Sequence, residues 1–364
     1  MERKTNISSA QFFLMMFVSR VVVTIALNAQ YLGGENMVDS IAAYLLSMVL
    51  GFFIALPIWI LNRKYPYLNV GDVAKLALGK AGKLVPVCYI LYFVLTNGAS
   101  LALFEIFLLD TVNPDFSSIL VLLAIVGVAL YGAFRGIETI SRCATCVFAV
   151  LLLGVALVFG IVLFRFRTEN LEPLFAGGLE QTARSVMLFV ARTSIFADMA
   201  VLLPMVRGKK ALGFSLWSVG TAAFVSALLL LLAGCLGRYA ATQNFPVYVL
   251  ASITEVRSLQ RVDAVFIGVW MMGVVTKLAC DVYACRVCFS SLTRKKEPRW
   301  ASFGAALLML GTAVFAVRSF SMQKVALNTS ILFLTTLFTG FLLPALVLLA
   351  DWLKNRRKEG KDSE

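Results

Sequence analysis

The chain has 364 residues, of which 60% are hydrophobic and 15% are charged. Soluble domains carry about 25% charged residues, and a soluble protein of this composition would leave much apolar surface in water. The composition therefore excludes an ordinary soluble domain. We attribute the net charge of +13 to membrane topology and to contact with anionic lipid headgroups, and we expect no binding to nucleic acid.

Long apolar runs without any charge recur along the chain, as in Ile119–Leu130, Val147–Leu163 and Ile331–Leu349. Crossing about 30 Å of hydrocarbon at about 1.5 Å per residue requires roughly 20 residues, which these runs reach with their mildly polar flanks. Only α-helices and closed barrels satisfy the backbone in lipid, and the alternation typical of barrel strands is missing. The sequence therefore predicts an all-α polytopic membrane protein without strands.

In chain order, hydropathy predicts ten transmembrane helices. The predicted spans are residues 10–31, 39–61, 84–109, 117–134, 138–164, 183–206, 211–237, 262–289, 300–319 and 328–353. We interpret the first apolar stretch as a helix and not as a signal peptide, because it is too long and lacks a cleavage site. Residues 1–353 are predicted to form a single transmembrane domain, and residues 354–364 a short basic tail.

A short amphipathic helix is predicted in the loop between the second and third spans. The stretch Val70–Leu78 mixes apolar and polar residues at helical spacing, which is typical of a helix that lies in the membrane interface.

Basic residues are concentrated in alternate loops, which sets the predicted orientation. Examples are Arg63, Lys64, Lys80, Lys83 and the run Arg294-Lys295-Lys296. By the positive-inside rule these loops face the cytoplasm, and so do both termini.

The sequence offers little for catalysis. It contains no histidine, which removes the commonest general base and the commonest metal ligand. Cys143-x-x-Cys146 and Cys285-x-x-Cys288 have a spacing found in zinc and redox sites, but no further ligands complete a set of four. We interpret both pairs as packing residues. No nucleotide-binding loop or nucleophile motif follows a strand, so we expect no metal, no cofactor and no enzymatic activity.

Charged residues inside the predicted spans are the strongest candidates for a site, because each costs at least about 2.5 to 3.5 kcal/mol at a helix centre. They are Arg20 in the first span, Glu105 in the third, Arg192 and Asp198 in the sixth, and Lys277 and Asp281 in the eighth. One interpretation gathers them around a solvated site between these four spans. The alternative is that Glu105 and Asp198 reach the headgroups, while Lys277 and Asp281 pair only with each other.

A short sequence echo suggests two related halves. Phe17-Val18-Ser19-Arg20 in the first span is repeated as Phe189-Val190-Ala191-Arg192 in the sixth, as a five-plus-five inverted repeat would require. In such transporters the first helix of each repeat is broken inside the membrane. The candidate breaks are Ser19 with Arg20, and Arg192-Thr193-Ser194. The β-branched run Val21-Val22-Val23 disfavours unwinding in the first span.

Three segments resemble a known family. Tyr131-Gly132-Ala133-Phe134-Arg135-Gly136-Ile137-Glu138-Thr139-Ile140-Ser141-Arg142 resembles the signature between the fourth and fifth spans of the endospore germination permeases. These are the B subunits of Ger-type germinant receptors, within the amino acid-polyamine-organocation superfamily. The family's outer loop before the sixth span resembles Asn170-Leu171-Glu172-Pro173-Leu174-Phe175 with Gly177-Gly178. Its eighth-span motif resembles Phe245-Pro246, Leu250-Ala251-Ser252 and Arg261–Phe266, leading to Trp270, Lys277 and Tyr283.

The resemblance implies a five-plus-five transporter-like fold and a sensor in the inner membrane of a dormant spore. Such a subunit works with receptor A and C subunits. A small germinant, typically an amino acid, would bind near mid-membrane between spans one, three, six and eight, and its binding would trigger germination. The alternatives are a secondary amino acid transporter and a purely structural part of the receptor.

An amino acid zwitterion suits a pocket that offers both signs of charge. We expect Arg20 or Arg192 to bind its carboxylate and Glu105 to bind its ammonium group or to line a polar path. We expect Lys277 to replace the cation that ion-coupled relatives bind. The other predicted ligand-binding residues are Ser19, Thr193, Asp198, Asp281 and Tyr283.

Overall fold

The computed structural model describes residues 7–26, 37–112, 117–172, 178–253, 262–293, 298–318 and 320–362. Its α-helices are α1 (Ser9–Ile25), α2 (Asp39–Lys64), α3 (Val70–Leu78), α4 (Leu84–Phe107), α5 (Ser118–Arg135), α6 (Ile137–Val162), α7 (Gly178–Ala191), α8 (Ile195–Leu202), α9 (Lys210–Leu236), α10 (Tyr239–Thr242), α11 (Pro246–Ser252), α12 (Val262–Thr293), α13 (Arg299–Arg318), α14 (Phe320–Ala326), α15 (Thr329–Leu337) and α16 (Leu343–Asp362).

These helices confirm the predicted all-α membrane fold. Within the described residues, eight helical segments are long and apolar enough to cross a membrane, and α1 and α5 are shorter apolar helices. Helix α16 runs on to Asp362, so the predicted basic tail continues the last helix as far as that residue. Several predictions fall outside the described residues: the end of the first span at residue 31, the outer-loop motif from Pro173 to Gly177, Arg261, and Arg294-Lys295-Lys296.

Contacts between the helices are reciprocal, as two repeats related by a pseudo-two-fold axis require. Helix α1 packs on α9, and α2 packs on α7; likewise α4 packs on α13, and α5 on α12. The contact of α1 with α6 has its counterpart in the contact of α7 with α15. The short helices occupy equivalent places too, because α3 and the pair α10–α11 both precede the third long helix of their half. The first repeat thus ends with α6, and the second begins with α7.

Two central elements are enclosed by the other helices. Almost every residue of α1 is buried, and so are all residues of α8. Because protein surrounds these elements, they do not need a lipid-facing apolar stripe. Large apolar side chains such as Phe53, Leu153 and Leu307 are instead exposed on the outer helices, where we expect acyl chains to cover them.

The prediction that the chain has no strands was wrong. Ile7–Ser8 forms strand β1 and Val206–Arg207 forms strand β2, and the two pair in parallel. Ser9 also donates a hydrogen bond from its hydroxyl to the Lys209 carbonyl, at 3.2 Å. Strand β1 directly precedes α1, and β2 follows the 3-10 turn Leu203–Met205 at the end of α8. Two residues are too few to produce an alternating pattern in the sequence.

The amphipathic helix predicted over Val70–Leu78 is present as α3 with those bounds. Asn69 caps its N-terminus by accepting a hydrogen bond from the Asp72 amide at 2.8 Å. The Lys75 ammonium group donates to the Ser291 carbonyl at 2.5 Å, and Lys354 donates to the Leu76 carbonyl. Helix α3 is thereby attached to α12 and α16.

A second polar contact joins the end of α2 to α16. Lys64 Nζ lies 2.5 Å from Asp351 Oδ2, and the Tyr65 hydroxyl donates to Asp351 Oδ1 at 2.8 Å. Burial and this hydrogen bond raise the pKa of the Tyr65 hydroxyl above its usual range. Both oxygens of the buried Asp351 carboxylate are therefore paired.

The close packing of α4 on α13 yields a stability prediction. A Cβ atom added at Gly98 would lie 2.1 Å from Thr312 Oγ1 and 2.8 Å from Thr312 Cβ. We expect Gly98→Ala to lower the free energy of unfolding by about 1 to 3 kcal/mol, because the two helices must separate. The thermal unfolding midpoint of the detergent-solubilised protein measures this loss. Gly311→Ala is the control, since its added Cβ would meet nothing within 4 Å; equal midpoints for the two variants would contradict the packing.

Candidate functional site

The sixth span is interrupted at the predicted residues. Helix α7 ends at Ala191 and α8 begins at Ile195, and Arg192, Thr193 and Ser194 between them are not helical. The end of α7 leaves backbone carbonyls that have no partner within the helix. Because the interior of a membrane supplies no water to bind them, other side chains must do so.

Side chains from three other helices bind these carbonyls. Arg20 of α1 donates from Nη1 to the Phe189 carbonyl at 2.7 Å and to the Arg192 carbonyl at 3.2 Å. The Tyr92 hydroxyl of α4 donates to the Thr193 carbonyl at 2.9 Å, and the Thr336 hydroxyl of α15 donates to the Ala191 carbonyl at 3.5 Å. The break is thus stabilised by specific donors from both repeats.

Arg20 is the principal donor at the break. Its guanidinium group is buried, lies 5.1 Å from the centre of the Tyr44 ring, and donates from Nε to the Tyr44 hydroxyl at 3.3 Å. A cation at the C-terminal end of α7 also interacts favourably with the helix dipole. From the sequence we expected Arg20 or Arg192 to bind a ligand carboxylate. In this structure Nη1 of Arg20 donates hydrogen bonds to backbone carbonyls at the end of α7.

The candidate break in the first span is not present at Ser19 and Arg20. Helix α1 is continuous from Ser9 to Ile25, because the β-branched run after Arg20 packs well in a buried helix. Ser19 is buried, and its hydroxyl has no hydrogen-bond partner among the described residues. The two halves therefore differ at this position: one supplies the break and the other supplies the arginine that supports it.

Lys277 and Asp281 form an ion pair in α12, and Asn97 of α4 completes it. Lys277 Nζ lies 2.7 Å from Asp281 Oδ2 and donates to Asn97 Oδ1 at 2.9 Å, while Asn97 Nδ2 donates to Asp281 Oδ2 at 2.7 Å. All three side chains are buried. A buried ion pair is tolerated when further hydrogen bonds satisfy its members, and Asn97 provides two of them.

Asp198 lies beside this network. It is fully buried in the first turn of α8, and its carboxylate, that of Asp281 and the Cys280 thiol lie within 4.8 Å of one another. The expectation that Asp198 reaches the headgroups was therefore wrong. So was the expectation that Lys277 and Asp281 contact only each other, because Asn97 and Asp198 join them. The sixth and eighth spans thus bring charged residues together here, and the third span adds the neutral amide of Asn97.

Arg192 and Lys277 border two adjoining narrow cavities. Val23, Ser100, Arg192 and Lys277 line both. Each has about 20 Å³ of free space, which holds little more than one water molecule. The Arg192 guanidinium also donates to the Leu327 carbonyl at 3.4 Å. This conformation is thus closed around the polar groups that a small ligand would contact.

Glu105 and Tyr283 are among the predicted site residues that line neither cavity. Glu105 is buried near the end of α4, just before the π-helical turn Leu108–Val112, and does not line either cavity. Tyr283 is buried with its hydroxyl 3.9 Å from the Met205 sulphur and its ring 5.5 Å from the Arg286 guanidinium. Their roles in ligand binding stay predictions.

The cysteine pairs differ in their surroundings. Cys285 and Cys288 are buried in α12, whereas Cys143 and Cys146 are exposed on α6, and all four are free thiols. The assignment of both pairs to packing stays a prediction.

Neutral polar residues were missed by the sequence analysis. A search confined to charged groups does not detect the neutral polar residues that make or border the site. They are Asn97, Tyr92, Tyr44, Thr336 and Ser100. Asn97 could have been identified as an amide side chain inside a long apolar helix. Such a group is buried only where hydrogen-bond partners are available.

Removal of Arg20 tests its support of the break. We expect Arg20→Gln to lower the free energy of unfolding by about 3 kcal/mol, because two charge-assisted hydrogen bonds are lost and buried carbonyls remain unpaired. Chemical denaturation in detergent measures the change. Arg184→Gln, on the exposed part of α7, is the control: its pair with Glu180 is solvent-exposed and is worth less than about 1 kcal/mol. A similar loss in both variants would refute the role of Arg20.

Comparison with known proteins agrees with this architecture. The family described as "Spore germination protein" matches residues 6–342. Spore germination protein KB of Bacillus subtilis (strain 168) is 24% identical over 99% of this chain and 99% of its own length. Among solved structures, a Na⁺-coupled sialic acid symporter in a substrate-bound, outward-open state aligns with a TM-score of 0.57 at 11% identity, covering 96% of this chain and 92% of the symporter. The chain thus has a transporter-like fold and belongs to the spore germination protein family.

Proposed function

We propose that this chain is the transporter-like subunit of a spore nutrient receptor, and that it binds a small germinant, an amino acid, beside the break in the sixth span. The observation that carries the proposal is the juxtaposition of the interrupted helix, Arg192 and Lys277 around two narrow cavities in a protein of the spore germination family. We further propose that it acts in the spore inner membrane with A and C receptor subunits, with both of its termini in the cytoplasm.

The chemistry of the break suits a carboxylate. Arg192, Thr193 and Ser194 line one cavity directly before the N-terminus of α8. Helix N-termini favour anions, and a guanidinium group binds carboxylates through two parallel hydrogen bonds. We therefore assign the ligand carboxylate to Arg192 and not to Arg20, whose Nη1 already holds the end of α7.

The closed cavities give the ligand a means of signalling. An amino acid is much larger than one water molecule, so its binding requires α1, α4 and α12 to move relative to the break. A ligand shifts such an equilibrium only by its differential affinity for the two conformations, about 1.4 kcal/mol for each factor of ten. Germinant binding would thus favour an open conformation, which the A and C subunits would detect.

Spores that lack this chain provide the first test. Their germination should fail with at least one member of a panel of amino acids, sugars and bile salts, measured as loss of refractility. An unchanged response to every germinant in the panel would rule out the receptor function.

A substitution at the break tests the binding site itself. We expect Arg192→Gln to raise the germinant concentration for half-maximal germination roughly 10- to 100-fold, because one charge-assisted interaction of about 1.5 to 3 kcal/mol is lost. Arg184→Gln lies on the same helix but on its exposed part, and should leave that concentration unchanged. Immunoblots of spore membranes verify equal amounts of both variants. An unaltered response of Arg192→Gln would place the germinant elsewhere.

A secondary amino acid transporter is the second candidate, favoured by the fold of the symporter that aligns with this chain. Uptake into proteoliposomes that contain only this protein separates the two functions. Concentrative uptake of an amino acid without other subunits would assign transport, whereas saturable binding without uptake supports the receptor.

A further inference from the structure

The buried charges around α8 do not balance. Lys277 supplies one positive charge to the cluster and pairs with Asp281, while Asp198 adds a second carboxylate within 4.8 Å of the first. Both aspartates are fully buried. An ionised carboxylate is very unfavourable in such surroundings without a cation of its own. The second negative charge therefore has to be removed or compensated.

The unpaired oxygen atoms of the two aspartates indicate how the second negative charge is removed. Asp281 Oδ2 accepts hydrogen bonds from both Lys277 and Asn97. By contrast, Asp281 Oδ1 and both oxygens of Asp198 have no hydrogen-bond partner among the residues that the structure describes. A single proton bound to one Asp198 oxygen and donated to Asp281 Oδ1 would pair one oxygen of each carboxylate. Two carboxylates that approach this closely commonly share one proton.

We propose that Asp198 and Asp281 bind one proton between them, and that this proton holds α8 against α12. The chemical step is simple: a proton enters from water, forms one O–H bond on Asp198, and neutralises the cluster together with Lys277. This site adjoins the proposed germinant site: Lys277 lines both cavities and Asn97 lines one of them, whereas Asp198 and Asp281 line neither.

The surrounding groups favour a proton over a metal ion. The titratable groups that interact electrostatically with Asp198 are Asp281 and Lys277, together with Tyr92 of α4 and Cys280, Cys285 and Cys288 of α12. A cation placed between Asp198, Cys280 and Asp281 would lie close to the Lys277 ammonium group, which is already bound to Asp281 at 2.7 Å. A thiol is also a poor ligand for sodium or magnesium, which prefer oxygen.

The position of Asp198 couples the proton to the break. Its amide donates to the Ser194 carbonyl at 2.9 Å, in the first turn of α8. When the proton leaves, two like charges face each other across the contact of α8 with α12, and their repulsion favours separation of the two helices. Proton binding thus stabilises the closed conformation, and proton release permits α8 to move.

Infrared spectroscopy of the full-length protein in lipid vesicles tests the proposal. At pH 7 the wild-type protein should have a protonated-carboxyl C=O band that shifts in D₂O. Asp198→Asn and Asp281→Asn should each abolish it, because one carboxylate and Lys277 are neutral without a proton. Lys277→Met should instead increase the band about twofold, since two carboxylates without a cation need two protons.

The control is Asp351→Asn, which removes a buried carboxylate whose two oxygens are both bonded, to Lys64 and to Tyr65. This variant should leave the band unchanged. The wild-type measurement remains decisive if a variant fails to fold: absence of the band at pH 7 would overturn the proposal. A band that persists in Asp198→Asn, or one that disappears on addition of sodium chloride, would overturn it too, the latter in favour of a bound cation.

Discussion

The structure depends on the pairing of backbone carbonyls where the sixth span is broken. A helix that ends inside a membrane leaves carbonyl groups that neither water nor its own backbone can satisfy. Here Arg20, Tyr92 and Thr336 supply the donors from three different helices. The break therefore depends on the whole bundle as well as on its local sequence, which contains neither glycine nor proline at its centre.

This arrangement explains why the two repeats have diverged. Reciprocal packing of the helices preserves their common architecture, but only the second repeat is interrupted at the echoed position. In the first repeat the equivalent helix is continuous over Ser9–Ile25 and presents Arg20 to the end of α7. Arg20 thus stands where the second repeat has its break, and its hydrogen bonds join α1 to α7. Of the two echoed arginines, Arg192 is the one that borders the two narrow cavities beside Lys277.

The sequence predicted the parts of the fold that follow from transfer of residues into lipid. Hydropathy located the long helices, amphipathicity located α3, and the polar stretch Arg192-Thr193-Ser194 located the break. The sequence could not show which group each buried charge would contact. A charged side chain inside a span needs a partner, but that partner can be a carboxylate or a backbone carbonyl. The hydrogen bonds of Arg20 to the backbone of α7 were therefore not predicted, and Asn97 was overlooked because it carries no charge. Strands β1 and β2 were missed because two residues carry no periodicity.

The break and the charged cluster share α8, and in the proposed mechanism this shared element links germinant recognition to signalling. Its N-terminus borders a cavity lined by Arg192 and Lys277, while Asp198 in its first turn faces Asp281. A ligand at the break and a proton at the aspartates therefore act on the same eight-residue helix. Two sites are coupled when both bias one element with two arrangements, and the coupling is reciprocal. A germinant that displaces α8 must then weaken proton binding, and proton release must in turn strengthen binding of the germinant.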